Sequence, residues 1–305
     1  RMARESVVAL SRMEGVYVRQ HVLVDVVDAT GNDRHGMPRR PWIRKTSATY
    51  LKARLSSEVY WYNAKQGDRD EPPRVRADVD AVKTVLGAGS WPGVPAIEGV
   101  VYTPIVRTDG SILQQAGYDP AMRLIYRPEV NHGTIERSPS REKVERARDY
   151  LLKVVKDFPF EKPQVSRAVW LAAVLTRFCR YSYSGMSPMF SVSAREQGSG
   201  KGLLVDCAAI ISDGRPADTM PFTGDEAEAK REIIAILSGD DTHHVALDNI
   251  AIGTKLSSAA YEAMLTGFAT VGREVGTSEV KRIVMSDAVW WATGNYLEMG
   301  PDMAR

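Results

Sequence analysis

The chain has 305 residues, 44% of them apolar and 26% charged, with a formal net charge of +2. That is globular material with room for two domains, and it excludes a disordered or fibrous class. The charge is uneven: residues 1–86 carry 16 Lys/Arg against 11 Asp/Glu, and residues 206–249 carry 3 against 10.

No apolar run approaches the roughly 18 residues of a membrane span, and "RMARESVVAL" lacks the shape of a signal peptide. A cytoplasmic protein with no membrane association is therefore expected. Cys179 and Cys207 both fall in apolar helical stretches and read as free thiols. The sequence opens on Arg1 and stops at Arg305 without a closing helix, which reads as part of a longer protein.

In chain order, valine alternation in "GVYVRQHVLVDVVDA" predicts two short strands broken by a polar turn. A basic loop, "GNDRHGMPRRPW", follows. "TSATYLKARLSSEVYWYNA" predicts a helix capped by Ser47 or Thr46, and "VDAVKTVLGAG" a shorter one ended by Gly87. From Trp91 to Pro128 the chain reads as compact β structure, with Asp109-Gly110 as a hairpin turn. Ser140 is expected to cap a helix with an apolar stripe of Val144, Ala147, Leu151, Val154 and Val155. "RAVWLAAVLTRFCRY" is apolar on most sides and predicts a buried helix.

The segment "PMFSVS" predicts a strand, "REQGSGKG" a glycine-rich turn, and "LLVDCAAIIS" a helix. Strand, loop and helix in that order are the context of a phosphate-binding loop. Gly198 and Gly200, with Ser199 between them, let backbone amides turn inward, the helix start favours anions, and Lys201 supplies a point charge. Two positions depart from GxxxxGK[ST]: Arg195 stands at the first glycine, and Gly202 replaces the hydroxyl that would ligate Mg²⁺. A metal there would rest on phosphates, water and an acid elsewhere.

"THHVALDNIAIG" offers that acid. His244 to Leu247 read as a buried strand and Asp248 as its end, 47 residues after Lys201. Asn249 follows it, so no glutamate stands there to activate water; Asp248 acting through water, Asp240 and Asp241 remain alternatives. A further 47 residues on, "RIVMSDAVWWATGNYL" reads as a β-prone run ending at Thr293, Gly294 and Asn295, where Asn295 can orient an attacking water. Arg305 lies where a ring-forming ATPase presents an arginine to its neighbour's phosphate. Adjacent His243 and His244 point to opposite sides of a strand and do not suggest a zinc site.

The succession "GSGKGLL", "VALDN" and "WWATGN...PDMAR", preceded by "TPIVRTDGSIL...GYDPAMRL", resembles the C-terminal part of phage and plasmid primase-helicases. Their ATPase module is similar to poxvirus primase-helicase and superfamily 3 helicases of the AAA+ class. The resemblance implies an α/β fold: an AAA+-type P-loop ATPase core with a parallel sheet, preceded by a β-rich, α+β accessory region. It implies ATP and Mg²⁺ as ligands and a ring, a hexamer in that family, moving on single-stranded DNA. Carried over by position, Lys201 is the loop lysine, Asp248 the metal-side acid, Asn295 the sensor and Arg305 the arginine finger. The family's DNA-contacting hairpin falls just before the sensor strand, which singles out Lys281 and Arg282, with Arg273 nearby. A second basic cluster, Arg39, Arg40, Arg44 and Lys45, reads as a solvated loop or, more sharply, as a duplex contact.

The expected organisation is a small α+β domain at 1–98, a β-hairpin segment at 99–128, a helical linker at 129–166 and the ATPase core at 167–305, incomplete at its C-terminal side. The expected function is ATP-driven helicase or translocase action in replication of a mobile element. The alternative is a nucleotide-binding, DNA-binding assembly module with little turnover, which Gly202 and Asn249 motivate.

Overall fold

The computed structural model describes residues 2–32, 36–62, 74–237, 242–267, 269–273, 280–284, 287–301 and 303. The chain divides into two units, Arg1–Val100 with Tyr118–Ile125, and Val101–Gly117 with Tyr126–Arg305. Among the described residues there are eight α-helices and a four-stranded parallel sheet, a mixed α/β architecture.

The first unit opens with α1 (Met2–Leu10), β1 (Val16–Arg19), β2 (Val22–Val27) and β3 (Trp42–Lys45). The strands pair in sequence order as an antiparallel meander. The strand β3 was not legible in the basic loop: its ladder partner is β2, and Pro38 and Pro41 mask the change of conformation. Helix α2 (Ala48–Glu58) starts at Ser47, whose hydroxyl accepts from the Tyr50 amide at 3.2 Å. Then come β4 (Trp61–Tyr62), β5 (Arg74–Val75) and α3 (Val79–Leu86), the last capped by Asp78 and ended by Gly87. Leu10, Leu23, Leu51, Leu55, Val82 and Val85 form the core of this unit.

Next are β6 (Gly99–Val101), β7 (Ile105–Val106), β8 (Ile112–Leu113), β9 (Gly117–Asp119) and β10 (Leu124–Tyr126). The β7–β8 hairpin turns at Asp109-Gly110, where Asp109 accepts from the Ser111 amide and Gly110 takes a φ of +76°.

The second unit continues with α4 (Arg141–Val154), α5 (Pro163–Cys179), β11 (Phe190–Ala194), α6 (Lys201–Asp213), β12 (Asp218–Pro221) and α7 (Glu226–Leu237). After these come β13 (His244–Ile250), β14 (Lys255–Leu256), α8 (Ala259–Thr266), β15 (Ala269–Arg273), β16 (Val280–Val284), β17 (Val289–Asn295) and β18 (Glu298–Met299). Ser140 caps α4 as its sequence predicts.

Two helices differ from expectation. The α4 stripe is not a buried one: Val144 and Val154 are exposed, and Val155, just past the helix, is the stripe residue that is buried. Helix α5 covers the sheet as a single layer, so only Trp170, Ala173, Val174 and Arg177 are buried while Val165, Val169 and Leu175 are exposed. Amphipathic spacing identifies a face, not what covers it.

The sheet has the order β11-β17-β13-β12, every pair parallel. Alternation along its strands assigns its two faces. Ala246 of β13 and Val289 and Trp291 of β17 pack with Trp170, Leu204, Val205 and Ala208 from α5 and α6. Val245 and Leu247, with Trp290 and Ala292, pack with Ala229, Ile233, Tyr261 and Met264 from α7 and α8. Burying each such large apolar side chain contributes about 1.5–3 kcal/mol. With all four strands parallel, their C-terminal ends share one edge, where loop residues from separate strands meet.

Candidate functional site

At that edge β11 ends, and residues 195–200 turn into α6. Gly198 and Gly200 take φ values of +72° and +82°, in the left-handed region that favours glycine. A Cβ on Gly200 would also lie 3.3 Å from the Phe158 ring. No side chain caps α6, so its first amides and its positive end are left for something else to satisfy. The Lys201 ammonium, the first residue of the helix, donates to Asn295 Oδ1 at 2.7 Å and lies 3.3 Å from the Glu196 carbonyl oxygen and 3.4 Å from Ser199 Oγ. At Gly202 a Cβ would meet nothing within 4 Å. Arg195, where the first glycine of the usual pattern would stand, pairs loosely with Glu161 at 3.7 Å on the surface.

Asp248 follows Ala246 on the α6 face of the sheet by the period of two, and its side chain is exposed. It does not end its strand, as its sequence suggests, because β13 runs on to Ile250 through a bulge. The register shifts between Leu247 and Ile250, and Asn249 takes a left-handed φ of 56°. The hydroxyl of Thr293, 1% exposed, donates to Asp248 Oδ1 at 2.5 Å and accepts from the Asn249 amide at 3.2 Å. The expected single β-prone run over 282–295 is two elements: β16 pairs with β15, and β17 enters the parallel sheet. Trp291, Thr293 and Asn295 then alternate onto the α6 face, which is why Asn295 meets Lys201. Gly294 faces the other way, where a Cβ would lie 2.5 Å from Leu297 Cδ2 and 2.8 Å from the Ile250 carbonyl oxygen.

The far end of α6 is pinned to the opposite edge of the sheet. Ser212 Oγ bonds His244 Nε2 at 2.8 Å, and Trp291 Nε1 donates to His244 Nδ1 at 3.2 Å. The Trp291 donation leaves Nδ1 as the acceptor and the proton on Nε2. Burial, the largest cause, pushes the His244 pKa down to about 3, with Arg177 and His243 adding to it against the pull of Asp213. Asp213 bonds His243 Nδ1 at 2.6 Å and lies 3.5 Å from the Nε of the fully buried Arg177. The two histidines thus grip the two last residues of α6, and among the described residues no three His, Cys, Asp or Glu side chains group as metal ligands. Cys179 and Cys207 are free and half-buried, with burial raising both thiol pKa values.

The structure therefore brings Gly198, Ser199, Gly200, Lys201, Gly202, Asp248 and Asn295 to one edge of the parallel sheet. Lys281 and Arg282 lie on β16 of an antiparallel hairpin that adjoins α7 and α8, the cover of the opposite face. Arg305, Asp240 and Asp241 lie outside the described residues. The basic cluster of the first unit is not simply a solvated loop: Arg40 is buried, and Arg44 pairs with the buried Asp25 at 2.7 Å and sits over the Tyr50 ring. Sequence reasoning missed Thr293 and the glycine requirement at 294. A hydroxyl two residues before Asn295, on the same strand face, was the available signal.

Two glycines in the left-handed region, an uncapped helix start and a lysine together favour a polyanion with tetrahedral oxygen groups. The exposed Asp248 carboxylate could hold a hard cation beside it, with most ligands drawn from the anion and water. No protein-family model and no curated protein matches the chain. Among the described residues no helix is long and apolar enough to cross a membrane.

Proposed function

We propose that this chain is an ATPase of the phage and plasmid primase-helicase type, an AAA+-like P-loop core that couples ATP hydrolysis to movement on single-stranded DNA as an oligomeric ring. The observation that carries the reading is the meeting of the Lys201 loop with Asn295, two residues along β17 from the Thr293 that holds Asp248. In this reading the 198–201 amides and Lys201 bind the β- and γ-phosphates. Mg²⁺, when bound, neutralises charge developing on those oxygens, and Asp248 would hold it or its water. Asn295 exchanges its bond to Lys201 for the attacking water, whose oxygen displaces ADP from the γ-phosphorus and whose proton passes to solvent. Arg305 would act on a neighbouring subunit's phosphate. Lys281 and Arg282 would contact DNA from the hairpin that leads directly into β17.

Gly202 and Asn249 favour a second reading, a nucleotide-binding assembly module with little turnover. Phosphate release measured with and without poly-dT, in the parent and in Lys281→Ala/Arg282→Ala, separates the two. A motor shows release stimulated by DNA, and a DNA affinity whose salt dependence becomes shallower in the variant by about 0.7 per lost phosphate contact. Nucleotide binding without release, indifferent to DNA, favours the assembly module and sinks the motor reading.

A further inference from the structure

We propose that Thr293 is a positioning residue that presents Asp248 to a divalent cation; the inference rests on the nucleotide reading above. The residue is 1% exposed, and its hydroxyl makes two bonds of opposite sense. Because the Asn249 amide donates into its lone pair at 3.2 Å, the hydroxyl proton is directed at Asp248 Oδ1, 2.5 Å away. That amide is free to do so because the bulge takes Asn249 out of the ladder between Leu247 and Ile250.

Two consequences follow from the chemistry. Oδ1 already carries a donor, so Oδ2 is the oxygen with both lone pairs open to a cation or its water, and the bond restrains the carboxylate rotamer before anything binds. Thr293 and Asn295 are also neighbours on one face of β17, about 6.6–6.8 Å apart along the strand. One strand thereby sets the spacing between the acid, held by Thr293, and the lysine, held by Asn295. A polyphosphate and its cation need that spacing to be constant. With no hydroxyl at Gly202 to share the cation, the orientation of the one carboxylate carries more of its binding.

The test uses Thr293→Val, which keeps the shape and removes the donor, and Thr293→Ser, which keeps the donor. The readout is the affinity of a fluorescent ATP analogue as Mg²⁺ is titrated, with phosphate release measured in parallel. Thr293→Val is expected to bind the metal-free analogue like the parent while its half-saturating Mg²⁺ rises about tenfold or more, the usual effect of losing a partner of a metal-side ligand. Thr293→Ser should restore the parent titration, which a purely structural role would not require. Should the valine variant fail to fold, Thr293→Cys, a weaker donor of similar volume, is expected to show an intermediate rise. A Mg²⁺ titration unchanged in the valine or cysteine variant, or a parent that binds the analogue without any response to Mg²⁺, overturns the positioning role. A parent that binds no analogue overturns the nucleotide reading itself, and the positioning role with it.

Discussion

The Lys201 ammonium and the Asn295 side-chain oxygen, 94 residues apart in sequence, stand 2.7 Å apart at the edge of the parallel sheet. This bond joins the first residue of α6 to the last of β17. An ammonium held by a neutral amide is ready to exchange that amide for a phosphate oxygen, a stronger charge-assisted partner. Nucleotide entry would then release Asn295 and report occupancy to β17.

Asn295→Ala should accordingly leave the affinity for an ATP analogue unchanged or tighter, because the lysine no longer has its short bond to that amide to give up. Phosphate release should fall by about tenfold, the equivalent of one hydrogen bond near 1.4 kcal/mol. Parent-like release in this variant would remove Asn295 from the reaction.

Gly202 lies in the first turn of α6 with open space where its side chain would be. Gly202→Ser is expected to fold within about 0.5 kcal/mol of the parent, since serine is somewhat better than glycine in a helix. Its hydroxyl should lower the Mg²⁺ needed for half-maximal analogue binding and raise turnover. An unchanged Mg²⁺ titration would mean that the missing hydroxyl is not what limits the metal.

At Gly294 the obstacle is steric. A methyl group would press on Leu297 and on the Ile250 carbonyl at the bulge, so Gly294→Ala should cost about 1–3 kcal/mol, read as a lower urea midpoint at constant slope. An unshifted midpoint would show that the bulge yields without strain.

Much of this site could be read from short stretches, and much could not. Ser47, Gly87 and Ser140 announce helix ends because capping is local chemistry. The 198–200 turn into α6 was legible because glycines between a strand-like and a helix-like run mark left-handed backbone. The bulge at Asn249, the Thr293 contacts and the approach of Gly294 to the Ile250 carbonyl arise between strands 44 or more residues apart, and no local pattern encodes them. Arg177 shows the same limit: it is fully buried in a helix that reads as apolar.

His244 gives the structure a pH dependence. Its folded pKa, near 3, lies below its ordinary value of 6.5, so the unfolded chain binds the proton more readily. The stability contributed by neutral His244 is complete above about pH 6.5 and is lost progressively as the pH falls toward 3, by about 1.4 kcal/mol per pH unit where one proton is taken up. His244→Gln, able to accept from Trp291 and donate to Ser212, should flatten stability between pH 6 and pH 4 by about one proton. Parallel curves for parent and variant would place the pH sensitivity elsewhere.

The most direct measurement is a titration of the parent and of Lys201→Ala with a fluorescent ATP analogue at fixed Mg²⁺. If the 198–202 loop is a nucleotide site, the parent saturates and the variant loses at least about tenfold in affinity, because a charge-assisted bond to phosphate is worth about 1.5–3 kcal/mol. Circular dichroism should show the variant folded, since Lys201 lies at the surface end of α6 and supports no core contact. Equal binding by parent and variant, or no binding by either, would contradict the assignment of this edge of the sheet to a nucleotide.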